Sequence, residues 1–208
     1  MCDVYAILDP DRVRDADRFV RDVIAGGARR VQLRAKHLGS GPMLRLARRL
    51  QPLCAGSGVA FIVNDRPDVA WLAGADAVHL GQDDLPVEHV ARAMPDLSID
   101  VSTHDLAQLR AAVAGGASAV AFGPVFATRS KENPDPVVGI DGLTRAVRHS
   151  RVPVIAIGGI DATNIGDVAR AGAAYAAVIG ALADETDRIG RTRALVAAAR
   201  AATAGAPS

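Results

Sequence analysis

Pro153-Val-Ile-Ala-Ile-Gly-Gly-Ile-Asp-Ala-Thr-Asn-Ile-Gly-Asp-Val-Ala-Arg-Ala-Gly-Ala-Ala-Tyr-Ala-Ala-Val-Ile-Gly180 reads as one whole turn of an α/β repeat. Pro153–Ile157 is short, β-branched and almost wholly apolar, as befits a strand covered on both faces. Gly158-Gly159 turns the chain, and Asp161 near Thr163 supplies a capping residue for a helix running to Arg170. Ala171-Gly-Ala173 then ends that helix, because glycine accepts the left-handed cap, and Ala176–Ile179 forms the next strand.

The same pattern extends outward in both directions. Val4–Leu8, Arg30–Leu33, Ala60–Val63, Ala77–Leu80, Leu97–Val101 and Ala119–Phe122 read as further buried strands. Helical periods separate them. Arg12–Ala25 brings Val13, Ala16, Val20 and Ile24 to one face, and Pro42–Ala55 does so with Leu44, Ala47 and Leu50. Shorter helices are expected at Pro67–Ala73, Val87–Ala93, Leu106–Ala114, Gly142–Arg148, Thr163–Arg170 and Asp187–Ala202, with Asp65 and Thr103 as caps. Ala25-Gly-Gly-Ala28, Ala73-Gly-Ala75 and Ala114-Gly-Gly-Ala117 repeat the helix-ending motif. Eight β/α alternations in 208 residues predict an α/β fold, a single small (β/α)8 TIM barrel over residues 1–203 with a frayed tail at 204–208. A doubly wound open sheet is the competing architecture.

Composition narrows the function. With 50% hydrophobic but only 3% aromatic residues, the core is aliphatic. Basic and acidic residues number 24 and 23, without a block of one sign, which excludes a nucleic-acid surface or a polybasic membrane anchor. Cys2 and Cys54 are too few for a disulfide framework or thiolate metal site and fit a reduced compartment. Asp3, Asp9, Asp11 and Arg12 break any leader-like apolar run, and the Ala171–Ala183 stretch is too short to span a bilayer. A soluble, cytoplasmic protein is expected, and its sequence leaves room for a homo-oligomer.

Polar residues collect just after the strands, where a barrel carries its chemistry. Gln32, Arg34 and Lys36 alternate onto one side; Asn64-Asp65-Arg66, His79-Leu-Gly-Gln-Asp-Asp84, Ser102-Thr-His104 and a loop from Gly123 to Lys131 follow later strands. Gly158-Gly159 and Ile179-Gly180 stand where barrels commonly bind phosphate through backbone N–H groups, although glycines also merely turn a chain. Asp65 and Asp84 form a candidate Mg²⁺ pair, since that ion takes one or two carboxylates plus phosphate oxygens. Asp65 also suits a helix cap, and Asp84 a solvated loop. Arg34, Lys36 and Lys131 are cations in strand-end loops; any one lysine is more often a surface residue than a ligand, but three cations facing two carboxylates suggest metal–diphosphate chemistry. His79 reads as core or as support for the site, His104 lacks an acyl-transfer elbow, and no Walker A or G-x-G-x-x-G fingerprint occurs.

Taken in order, Gln32-Leu-Arg-x-Lys36, Asn64-Asp-Arg66, His79-Leu-Gly-Gln-x-Asp84, Val101-Ser-Thr-His104, Gly123-Pro-Val-Phe126, Lys131 and Ile157-Gly-Gly-Ile160 resemble the thiamine-phosphate synthase (thiamine phosphate pyrophosphorylase) family. The resemblance runs from about residue 4 to residue 183. It implies a transferase of thiamine biosynthesis that couples hydroxymethylpyrimidine diphosphate to hydroxyethylthiazole phosphate, or its carboxylated form, with two small phosphorylated substrates as partners. Mg²⁺ would sit on Asp65 and Asp84. Arg34, Lys36, Asn64 and Lys131 would meet the diphosphate, with Arg34, Lys36 and Lys131 as catalytic cations. Gln32 and Ser102 would meet the pyrimidine, and Thr128, Ser130, Gly159, Ile179 and Gly180 the thiazole phosphate. The chain departs from the family pattern at Ala127, Ser130, Ala174-Tyr175 and Gly180-Ala-Leu182. The alternatives are a thiazole tautomerase of the sister family, which by the same resemblance carries histidine at Pro124, and a non-catalytic thiazole-phosphate-binding barrel.

Overall fold

A computed structural model describes residues 1–128 and 135–204 of the chain. Strands β1 (Asp3–Leu8), β2 (Arg30–Leu33), β3 (Ala60–Asn64), β4 (Ala77–Leu80), β5 (Ser98–Thr103), β6 (Ala119–Phe122), β7 (Val154–Ile157) and β8 (Tyr175–Val178) close into one parallel barrel. Helices α1 (Ala16–Gly26), α2 (Ser40–Ala55), α3 (Pro67–Ala73), α4 (Val87–Ala93), α5 (Leu106–Ala114), α6 (Gly139–His149) and α7 (Ile165–Arg170) follow the first seven strands. A short α8 (Gly180–Ala183) precedes α9 (Arg188–Ala204), which packs on α1 and α7 and completes the outer layer. The open-sheet alternative is thereby set aside. Closure rests on β1 pairing with β8, in the register Asp3 with Tyr175 through Ala6 with Val178.

Alternation along each strand divides the interior. Val4, Ala6 and Leu8 of β1 face the helices and join the large core that includes Phe19, Leu50, Leu109 and Leu143. Tyr5 and Ile7 face the barrel axis, where they meet Ile62, Ile155 and four alanines: Ala77, Ala119, Ala121 and Ala177. Small side chains leave axial space, and Tyr5 takes it up, fully buried.

Helix starts move both ways from what periodicity suggests: α1 and α7 open later, α2 and α6 earlier. Asp15 caps α1 by accepting from the Arg18 N–H, so the helix opens at Ala16 and leaves Arg12 in the β1–α1 loop. Asp105, not Thr103, caps α5, accepting from the N–H groups of Ala107 and Gln108; Thr103 instead donates its hydroxyl to the Ala121 carbonyl. Arg66 occupies the cap position of α3 and its side chain pairs with Asp68 rather than capping the helix, so Asp65 is not the capping residue. Asp161 accepts from Thr163, yet α7 starts only at Ile165. The glycine-ended motifs do turn on left-handed residues, at Gly27, Gly74, Gly116 and Gly172. Helix α9 continues through Ala204, where fraying was expected to begin; residues 205–208 lie outside the described residues.

Arg188 anchors α9 to the barrel. It is 1% exposed, donates from Nε to the Leu182 carbonyl at 2.9 Å and pairs with Asp22 at 3.0 Å, its guanidinium 4.8 Å from the Phe19 ring. Removing one member of a buried pair strands the other, at about 3 kcal/mol. Arg188→Ala should lower the unfolding free energy by about that much in urea titrations, and a loss below about 1 kcal/mol would show that α9 is held otherwise.

Candidate active site

The C-terminal ends of the strands open into a cavity of about 730 Å³. Gln32, Arg34, Lys36, Asn64, Asp65, Asp84, Ser102, Thr128, Gly159, Ile179 and Gly180 all line it. Ser130 and Lys131 lie outside the described residues. Seven strand ends thus bring together the residues that the sequence places apart, because every parallel strand delivers its last residue to the same rim.

An acidic pair faces the cations on one side. Lys36 Nζ lies 3.5 Å from Asp65 Oδ2, and Arg34 Nη1 lies 3.0 Å from Asp9 Oδ2. Asp65 adopts φ 64°, a left-handed conformation that a short acidic side chain tolerates at a functional turn. Its backbone N–H donates to the His79 carbonyl at 2.8 Å, which ties the end of β3 to β4. Burial and then the neighbouring Asp84 carboxylate push the Asp65 carboxyl above its ordinary range, against the pull of Lys36. Asp84 Oδ2 accepts from the Gly81 N–H at 2.6 Å, so its loop folds back on itself and fixes the carboxylate. Two carboxylates crowded at the mouth of a cavity lined by cations suit a hard divalent cation that also meets ligand oxygens.

Polar groups line the floor. Gln32, 2% exposed, donates from Nε2 to the Tyr5 hydroxyl at 2.9 Å. His79, 5% exposed, places Nε2 2.8 Å from Ser102 Oγ, while its buried Nδ1 has no partner among the described residues. An unpaired lone pair is cheaper than an unpaired N–H, so the network assigns the proton to Nε2. Ser102 therefore accepts from His79 and keeps its own proton for the cavity. The Gln82 side chain also donates to the Ser102 carbonyl at 2.5 Å.

The far wall is built from the loops after β6, β7 and β8. Gly158 and Gly159 take φ 101° and 65°, and the N–H groups of Val125 and Phe126 donate to Ile157 and Gly158. A Cβ on Gly159 would meet the Ala127 carbonyl oxygen at 2.4 Å and Phe126 Cβ at 2.8 Å. Glycine is required there by the neighbouring loop, in keeping with the chain-turning reading of Gly158-Gly159 that the sequence offers beside the phosphate one. Gly180 is the opposite case: a Cβ there meets nothing within 4 Å among the described residues.

Two residues of the site escape sequence reading, and a third is discounted there. Arg12 reads as helical but sits at the rim, 3.7 Å from Asp9. Buried Asp9 orients Arg34 and is indistinguishable by sequence from a loop acid. His104 lines the cavity with Nδ1 2.7 Å from the Gly123 carbonyl and Nε2 3.3 Å from Asp135; its place at the end of Val101-Ser-Thr-His104 was the available signal.

A closed barrel whose charged and polar groups converge on one rim defines the class: a (β/α)8-barrel enzyme. The model of the thiamine monophosphate synthase family matches residues 4–182. Thiamine-phosphate synthase of Anaeromyxobacter dehalogenans is 46% identical over 191 residues, covering 90% of this chain and 86% of its own length. That of Chloroflexus aurantiacus is 40% identical over 198 residues, covering 93% and 92%. The solved thiamine phosphate pyrophosphorylase from Pyrococcus furiosus superposes with a TM-score of 0.89 at 31% identity over 97% of this chain and 96% of that one. A 3-hexulose-6-phosphate synthase, with a TM-score of 0.68 at 21% identity, shares the fold. The chain belongs to the thiamine monophosphate synthase family and is a transferase.

Burial pushes the His79 imidazole down to about 4 from 6.5, with Arg30 adding to the effect. A depressed histidine leaves the unfolded chain binding the extra proton between those values. Its contribution to stability is therefore complete above pH 6.5 and lost as the pH falls towards about 4. Unfolding free energy should drop by on the order of 3 kcal/mol more across that window than in His79→Asn. Parallel pH profiles for the two proteins would refute the neutral assignment.

Proposed function

We propose that the enzyme joins hydroxymethylpyrimidine diphosphate to hydroxyethylthiazole phosphate or its carboxylated form, giving thiamine phosphate and diphosphate. The carrying observation is the Asp65–Asp84 pair beside Lys36 and Arg34 in one cavity, in a chain of this family. Asp65 and Asp84 would hold Mg²⁺, which when bound supplies positive charge against the phosphate oxygens. Arg34, Lys36, Asn64 and, from sequence, Lys131 receive the diphosphate. Asp9 keeps the Arg34 guanidinium aimed into the cavity. Gln32 and Ser102 hold the pyrimidine, with the Ser102 hydroxyl as donor. Thr128, Gly159, Ile179, Gly180 and, from sequence, Ser130 receive the thiazole phosphate.

In the reaction the pyrimidylmethyl C–O bond breaks and the diphosphate leaves with the electron pair. The thiazole ring nitrogen supplies the pair for the new C–N bond. An amino-substituted pyrimidine stabilises the cationic carbon, so the protein needs no nucleophile of its own. Its work is to neutralise the leaving group and to hold the two rings in line. Pro124 lines the cavity and has no titratable group, while both carboxylates face the cations. Neither feature favours the tautomerase or a ligand sensor. Free, buried Cys2 and Cys54 support a reducing, cytoplasmic setting, and no helix among the described residues is long and apolar enough to cross a membrane.

Incubation with both precursors and Mg²⁺ should yield thiamine phosphate and diphosphate in equal amounts; tautomerised thiazole without diphosphate release would replace this reading. Asp84→Ala should lower kcat by about 10²- to 10³-fold with an unchanged circular dichroism spectrum, and a rate near wild type would remove the metal from this pair. Gly180→Val, whose side chain meets no neighbour among the described residues, should raise the thiazole-phosphate KM by at least about ten-fold and leave the pyrimidine KM alone. Equal KM values for both proteins would move the thiazole phosphate elsewhere.

A further inference from the structure

Beneath the cavity a chain of hydrogen bonds runs down the barrel axis. Gln32 Nε2 lies 2.9 Å from the Tyr5 hydroxyl, that hydroxyl lies 3.4 Å from Asp100 Oδ2, and Arg30 Nη2 lies 2.8 Å from the same oxygen. The Arg30 guanidinium is sandwiched between the rings of Tyr5 and Tyr175, at 5.0 and 4.8 Å. Tyr5 is fully buried and Asp100 is 1% exposed.

Counting protons along this chain fixes the orientation of one amide. Arginine only donates, so Asp100 Oδ2 is an acceptor whatever the other carboxyl oxygen carries. The single Tyr5 proton points to that oxygen, and burial, with the Asp100 charge, pushes the phenol well above its ordinary range, so the proton stays. Tyr5 must then accept from its other neighbour, which is the NH₂ of Gln32. Flipping the amide would draw the Tyr5 proton to Gln32 and leave two oxygens facing each other at 3.4 Å in a dry interior. The Gln32 carbonyl oxygen is left for the cavity, and Gln32 makes no other hydrogen bond among the described residues.

We propose that Tyr5, braced by Asp100 and Arg30, is a positioning residue that locks the Gln32 carboxamide with its carbonyl towards the cavity, so that the site selects a heterocycle able to donate a hydrogen bond there. This rests on the function proposed above, where the amino group of the pyrimidine is that donor. Tyr175 is part of the brace, and it stands at one of the positions where the chain departs from the family pattern.

Tyr5→Phe deletes one oxygen and frees the amide to turn. Calorimetric binding of three probes in Mg²⁺ buffer separates the outcomes: the pyrimidine diphosphate, its analogue lacking the amino group, and inorganic diphosphate. The substitution should weaken binding of the amino compound by about ten-fold and leave the other two unchanged. Equal weakening of all three would indicate general distortion and overturn the proposal, as would unaltered binding of the amino compound. Wild-type protein that binds inorganic diphosphate as tightly as the pyrimidine ester would overturn the functional reading and this inference together. Should Tyr5→Phe not fold, ¹⁵N-labelled wild-type protein decides: the Gln32 amide protons should keep their proximity to the Tyr5 ring on pyrimidine diphosphate binding, and an amide flip would refute the lock.

Discussion

The ladder between β1 and β8 is the contact on which everything else depends. With Asp3 beside Tyr175 and Ala6 beside Val178, the sheet has no edge, and the backbone groups of the outermost strands find partners in each other. Closure also gathers the strand ends. Arg34, Asp65, Asp84, Ser102 and Gly180 belong to five different strand–loop junctions, and they share one cavity only because all strands run the same way around a ring. An open sheet with the same strands would spread these residues along a crevice.

Closure dries the axis, and this determines which polar groups the interior can hold. Inward positions alternate between aliphatic side chains and groups that hydrogen-bond one another: Tyr5 with Gln32, Arg30 with Asp100, His79 with Ser102. The axial alanines make room for the two tyrosines and the arginine they enclose. Buried ion pairs are weak evidence for stability, since desolvation offsets most of their attraction. Their value here is orientation. Each buried partner restricts the rotamer or tautomer of a residue one layer higher, so the floor of the site is fixed before any ligand arrives.

The two sides of the cavity are built differently. On the acidic side, charge is crowded: Asp65 is raised by burial and by Asp84, and Lys36 only partly offsets this. On the glycine side, loops are laced together by backbone hydrogen bonds, with Gly159 held under residues 126 and 127 by a fit that excludes a side chain. Crowded like charges favour a bound cation, and a laced backbone offers a stiff wall. A transferase that separates charge between two reactants needs both.

Much of this was legible in the chain alone. Strands and helices announce themselves through hydrophobic period and glycine-ended helices, which are local properties, so the elements of residues 153–180 appear in the structure with ends shifted by only a few residues. Residues that follow the strands were legible for the same reason, once a barrel assigns them to one rim. Partnerships were not. Asp9 reads as any loop acid until β1 and β2 pair and set it against Arg34 across 25 positions; Tyr5 reads as core until closure brings Asp100, 95 positions away, to its hydroxyl. Arg12 belongs to a helix by period and to the cavity by the cap at Asp15. The sequence by itself determined the elements and the chemical inventory, because period and capping act over one or two turns. Tertiary structure alone decided which donor meets which acceptor, because that choice depends on closure, burial and the water excluded from the axis.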